Sequence, residues 1–108
     1  LREASYGSAE GMKREEYRLK YANELARIHN LPFHKRMTSK VIPDGESTEE
    51  VATRALCFLK NLVSEGKEKK LLIVCHGGVI RSVLVSLFKL NDRRISIQNT
   101  GYAVLEYY

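Results

Sequence analysis

Cysteine and proline occur only twice each in these 108 residues, and tryptophan is absent. Cys57 and Cys75 sit inside apolar segments without metal-ligand spacing, which argues against a disulfide framework and fits a reducing, cytoplasmic setting. No stretch approaches the ~20 apolar residues of a membrane span. His76, Arg81 and Lys89 interrupt the most apolar region. The opening "LREASYGS" has neither an initiator Met nor the apolar core of a signal peptide, so the chain reads as a passage from something longer. There is no internal repeat and no low-complexity tract. With no cluster of carboxylates, and with His and Arg to supply positive charge, no metal site and no cofactor are expected.

Charge of one sign is in excess, with a formal balance of +5, but it is dispersed. "KEKK" at 67–70 is interleaved with Glu68, and "DRR" at 92–94 is short. Neither forms a basic stripe and no aromatic platform accompanies them, so a nucleic-acid partner is not expected. A net positive field still helps gather phosphorylated metabolites.

What is present is the material of one domain at most. An apolar fraction of 44% suits a folded globular chain. From about 13 to 29, Tyr17, Tyr21, Leu25 and Ile28 recur at helical spacing and predict one amphipathic helix. "NLPFHKRMTSKVIPDG" at 30–45 reads as a long loop with a short extended piece near Val41. Ser47 with Glu50 forms a capping box, Gly66 supplies a stop, and Val51, Ala55, Phe58, Leu59 and Leu62 line one face of a second helix. "LLIVC" at 71–75 is apolar at every position, as a strand covered on both faces would be. A helix from about 79 to 89 and a terminal strand in "GYAVLEYY" complete an α/β pattern. Two strands do not make an independently stable sheet, so further strands are expected outside these residues.

The chemistry concentrates in "CHGGVIRS", residues 75–82. A helix amino end presents free N–H groups and about half a positive charge, which together suit a phosphate. Gly77 and Gly78 let the backbone approach a ligand closely, and His76 stands where such a crevice would open. On its own, His76 could equally end a strand and bond to a carbonyl. The same stretch spells C-x-x-G-x-x-R-S, similar to the phosphate loop of cysteine-dependent phosphatases. In that reading Cys75 is the nucleophile, Arg81 holds the phosphate and Asp44, 31 residues upstream, is the acid. Val74 stands where that family carries His, and the chain ends in an expected strand rather than helices.

Four segments, in order, resemble the histidine phosphatase superfamily, in particular its phosphoglycerate mutase-like group. They are "LREASYGSAEG", "PDGES", "HGGVIR" and "IQNTGYAVLEY", and they span essentially the whole chain. The first and last are most similar to fructose-bisphosphatase members. The resemblance implies a three-layer α/β/α fold with a mostly parallel sheet, of which residues 1–108 form a single partial, C-terminal portion. It implies a phosphomonoesterase acting on a small phosphorylated metabolite, such as a sugar bisphosphate, through a phosphohistidine. Glu3 is then the acid/base, His76 the second histidine, and His76, Gly77 and Gly78 hold the phosphate. Asn99 and Thr100 either line the pocket or make a turn before the last strand. The sequence contains no Arg-His-Gly, the nucleophile motif of that family. The attacking histidine is therefore expected on another segment, and the 108 residues alone are expected to be inactive. The sheet would be completed by a missing N-terminal segment or by a second chain, for which a homodimer is one arrangement. The remaining alternative is a non-catalytic fragment that pairs with a partner.

Overall fold

The computed structural model describes residues 1–66, 70–92 and 95–107; most of the "KEKK" run, both arginines of "DRR" and the final tyrosine lie outside them. After a 3₁₀ turn at Gly7–Ala9 come five helices: α1 (Arg14–Lys20), α2 (Ala22–His29), α3 (Phe33–Thr38), α4 (Thr48–Glu65) and α5 (Gly77–Phe88). Among the described residues, no helix is long and apolar enough to cross a membrane.

The amphipathic stretch from 13 to 29 forms two helices rather than one, divided at Tyr21. The backbone ladder nevertheless continues across the division. Tyr21 N–H donates to Tyr17 C=O and Leu25 N–H to Tyr21 C=O. The break is thus a change of dihedral angle at one residue (φ −106°, ψ 21°), beside the packed rings of Tyr17 and Tyr21. The expected long loop contains α3, whose start follows Pro32, a residue already fixed at a helix-compatible φ.

Helix α4 is bounded as its sequence demands. Ser47 accepts from the Glu50 N–H while the Glu50 carboxylate accepts from the Ser47 N–H, satisfying two otherwise orphaned donors. At the other end Gly66 adopts the left-handed conformation at φ 64°. The core lies between α4 and α5, where Val51 and Ala55 meet Val79 and Val83. Leu1, Ala4, Leu56, Leu59 and Cys75 close around that cluster. Phe58, expected on the buried face, is instead exposed.

The expected three-layer α/β/α fold with a mostly parallel sheet is overturned, since the described residues form helices and no strand. Residues 70–76 and 101–107 carry no regular structure. A strand is stabilised by hydrogen bonds to a neighbour, and a run of apolar residues cannot supply that neighbour from within itself. Leu72 is 91% and Val74 87% exposed, while Ile73 and Cys75 between them are partly covered. The segment thus keeps an alternating burial but only one of its faces is partly covered, with Cys75 packed on the α4–α5 core.

Candidate active site

The amino end of α5 organises the site. His76 is its N-cap, with extended backbone (φ −117°, ψ 150°), and its carbonyl accepts from the N–H groups of Val79 and Ile80. The His76 side chain does not cap the helix, so the imidazole is left to face outward, half-exposed. Gly77 and Gly78 form the first turn.

Glu3 is brought to the same place from the far end of the sequence. One carboxylate oxygen, Oε2, lies 3.8 Å from His76 Nδ1, and the other accepts from the Ala4 N–H at 2.8 Å. A Cβ on Gly78 would stand 2.8 Å from Glu3 Oε1, so the carboxylate occupies the space that the glycine leaves open. Glu3, His76 and Gly78 are therefore assembled. Gly77 serves a neighbouring contact, because its Cβ position faces the Ile97 carbonyl at 3.1 Å. Asn99 and Thr100 form a turn, closed by Gly101 N–H donating to Gln98 C=O, and neither lines the cavity described next.

A cavity of about 820 Å³ opens beside Glu3 and Gly78. Its wall includes Tyr6, Arg14, Arg18 and Arg36. Arg14 and Arg18 lie one helical turn apart on α1, exposed, and form no ion pair with another described residue. Such a cavity presents cationic groups to an anion that reaches Glu3. Among the described residues no cluster of His, Cys, Asp or Glu is arranged to hold a metal ion.

The cysteine-based alternative fares differently. Arg81 is committed to backbone carbonyls, donating through Nε to Ile95 at 3.1 Å and through Nη2 to Asp92. Cys75 packs against the α4–α5 core. Asp44 accepts from Ser8 Oγ at 3.2 Å, and hydrogen bonds from the Ser8 backbone and side chain hold its carboxyl below the usual range. A general acid needs the opposite shift. Each of the three thus has local partners of its own, although Arg81 also lines the cavity.

Two ion-pair systems that no local pattern reveals flank the crevice. Arg36 grips Asp92 with both arms of its guanidinium, at 3.1 and 2.6 Å, and donates its remaining nitrogen to the Leu31 carbonyl. The two side chains are only 10% and 9% exposed. On the other side Arg54 reaches Glu46 at 2.7 Å. Glu46 lies within the "PDGES" segment singled out above, but its partner could be found only by building α4.

Hydrogen bonds from Arg36 hold the Asp92 carboxyl low, and those from Arg54 do the same for Glu46. Both groups are depressed in the folded state, so the stability they contribute is full above the ordinary carboxylate range near ~4 and is lost as pH falls through their folded values. The midpoint of urea unfolding is expected to hold between pH 7 and pH 5 and to drop on going to pH 3. The Asp92→Asn variant should show a shallower drop; equal slopes for variant and wild type would exclude Asp92 as a contributor.

With this geometry in place, comparison with known proteins gives the lineage. The family model for the histidine phosphatase superfamily (branch 1) matches residues 1–108. The chain belongs to that superfamily. Its relatives include 2,3-bisphosphoglycerate-dependent phosphoglycerate mutase of Protochlamydia amoebophila, 34% identical over 97 residues, which are 88% of this chain and 41% of the relative. A second is 2,3-bisphosphoglycerate-dependent phosphoglycerate mutase 2 of Gloeobacter violaceus, 30% identical over 106 residues, covering 96% of this chain and 46% of the relative. A third, phosphoglycerate mutase of Schizosaccharomyces pombe, is 29% identical over 97 residues, with 88% and 44% covered. The chain thus spans about half the length of the curated relatives it matches. No solved structure matches it at a significant level. Membership connects the chain with phosphoryl-transfer enzymes, as the order of its four motifs led us to expect.

Proposed function

We propose that these residues supply the acid–base and phosphate-holding side of a phosphomonoesterase site that works through a phosphohistidine. The observation that carries the reading is the approach of the Glu3 carboxylate to both the His76 imidazole and the amino end of α5, beside a cavity that Glu3 and Gly78 line although His76 and Gly77 do not. An in-line phosphoryl transfer needs little more than positioning, a proton source on the leaving side and positive charge around the equatorial oxygens. In the first step an attacking histidine, on a segment other than these 108 residues, forms a P–N bond as the ester P–O bond breaks. The leaving oxygen takes the proton of Glu3. In the second step the Glu3 carboxylate takes a proton from water, the water oxygen attacks phosphorus, and the P–N bond breaks to release orthophosphate. His76 and the N–H groups of α5 hold the phosphoryl oxygens in both steps.

The substrate we propose is a small phosphorylated metabolite with a second anionic group, such as a sugar bisphosphate. Arg14 and Arg18 on the wall of the same cavity support this, since they offer paired positive charge beyond the reacting phosphate. The mutase named in the relatives is the neighbouring outcome of the same chemistry, in which the phosphoryl group returns to a second oxygen instead of water.

With p-nitrophenyl phosphate, the 108-residue chain is expected to turn over no faster than buffer. Joining a segment that bears Arg-His-Gly ahead of Leu1 is expected to bring activity. In that longer protein Glu3→Gln should lower kcat by roughly 10²–10⁴-fold, the usual worth of a positioned general acid. Activity in the 108-residue chain that iodoacetamide and Cys75→Ser each abolish would refute the histidine route and return the chemistry to Cys75. Release of orthophosphate, against its transfer within the substrate, separates phosphatase from mutase.

A further inference from the structure

The structure assigns Glu46 and Arg54 as positioning residues that fix the backbone around Glu3 and so aim its carboxylate at His76 and the amino end of α5. The inference rests on the role proposed for Glu3. Neither residue touches the reacting groups. Their bonds converge instead on the four-residue stretch that carries the acid.

Residues 2–5 carry no regular secondary structure of their own, and a carboxylate on such a stretch has no reason to hold one position. Glu46 and Arg54 supply the reason. The Glu46 N–H donates to the Ser5 carbonyl at 2.8 Å, and Glu46 Oε1 accepts from the Ser5 N–H at 2.9 Å. One residue thus satisfies both backbone groups of Ser5. Arg54 Nη2 donates to the carbonyls of Arg2 and Glu3 itself, at 2.9 and 3.0 Å. The same guanidinium is locked to the Glu46 carboxylate through Nε at 2.7 Å and Nη2 at 3.3 Å. Arg2 closes the group with a contact to Glu46 Oε1 at 3.1 Å.

Each part of this clamp stands on something rigid. Arg54 projects from α4 between Val51 and Ala55, both buried, so its base cannot drift. Glu46 immediately precedes the capping residue Ser47. Gly45 permits the approach, since a Cβ there would stand 3.0 Å from the Ser5 carbonyl. Both side chains are largely covered, 14% and 24% exposed, which limits competition from water. A planar guanidinium with donors in a fixed fork can reach a carboxylate and two successive carbonyls together; the single ammonium of lysine cannot hold that set. Displacing a reacting group by about an ångström is enough to cost large factors in function, so a clamp on the backbone of Glu3 acts directly on the site.

The test uses the 108-residue chain, ¹⁵N-labelled, with inorganic phosphate as the probe. In Glu46→Gln the hydrogen-exchange protection of the Ala4 N–H, which bonds to Glu3 Oε1, is expected to fall, and the Gly78 amide resonance to move. The phosphate concentration that half-shifts the Gly78 resonance should rise on the order of tenfold. Arg54→Lys is the second variant, should Glu46→Gln not fold, and should move the same two amides. The double variant should do little more than either single one, because both cut the same link. A merely structural pair would lower the melting temperature and leave these amides and the phosphate response alone. That result in a folded variant overturns the assignment. If phosphate leaves the wild-type Gly78 resonance unmoved, the proposed phosphate site fails, while the Ala4 and Gly78 signatures still decide the clamp.

Discussion

Gly78→Ala is expected to weaken phosphate binding sharply while leaving the protein as stable as before, or slightly more so. In the interior of a helix, alanine is favoured over glycine by about 0.5–1 kcal/mol because the unfolded chain loses less freedom. Gly78 lies in the first turn of α5 without a positive φ, so nothing in its own backbone resists the change. The resistance comes from across the crevice, where the new Cβ would stand 2.8 Å from Glu3 Oε1. The neighbour it meets is the far end of a flexible side chain, and that side chain can swing away. The fold then survives, but the carboxylate leaves His76 and the methyl group stands over the N–H groups that we propose hold phosphate. Phosphate affinity is expected to fall by roughly 10²-fold, the scale on which misplacement of a reacting group is felt. Calorimetry with phosphate, beside a thermal melt, measures both halves. Unchanged affinity would remove Gly78 from the site, and a large loss of stability would mean that Glu3 cannot move.

Asp92→Ala is expected to act in the opposite sense, on stability first. Asp92 is buried four residues beyond α5 and accepts two bonds from Arg36 of α3, while its own carbonyl accepts from Arg81. Removing the carboxylate leaves a covered guanidinium without its partner. Charge-assisted bonds of this kind are worth about 1.5–3 kcal/mol each, and breaking one side of a buried pair exceeds the value of the pair itself. A loss of about 2–3 kcal/mol is expected, allowing for the bond that Arg36 keeps to Leu31 and for the relaxation of a long side chain. In a domain of this size that corresponds to a fall in melting temperature of roughly 10 °C or more. Asp92→Asn, which keeps one acceptor, should fall between variant and wild type. A fall of only a degree or two in Asp92→Ala would show that water already satisfies Arg36.

Local features were legible in the chain itself. The capping box at Ser47 and Glu50 and the left-handed Gly66 bound α4 where the residues said they would, because caps are made by groups within a few positions of each other. His76 precedes α5 for the same reason, although the helix opens at Gly77, about two residues earlier than the apolar pattern suggested. Glu3 was reachable only through its resemblance to a family segment. A lone carboxylate carries no local signature, and its approach to His76 joins positions 73 residues apart. Glu46, Arg54, Arg36 and Asp92 were missed as a group. Charged residues scattered along a sequence read as solvated surface until the packing of α3, α4 and α5 sets them face to face.

The expected sheet failed for a related reason. "LLIVC" announces that its residues prefer to be covered, and alternate positions of that run are indeed partly covered. It does not say what covers them, since pairing is a property of two segments.

The order of residues alone thus determined both ends of α4, the turn glycines at the start of α5 and membership of the histidine phosphatase superfamily, all of which depend on neighbours or on motif order. Only the tertiary structure decided that Glu3 meets His76, that Arg54 holds the backbone around Glu3, and that Arg81 donates to the carbonyls of Asp92 and Ile95. Those contacts join residues separated by eleven positions or more, and nothing along the chain fixes such distances until the α4–α5 core has formed.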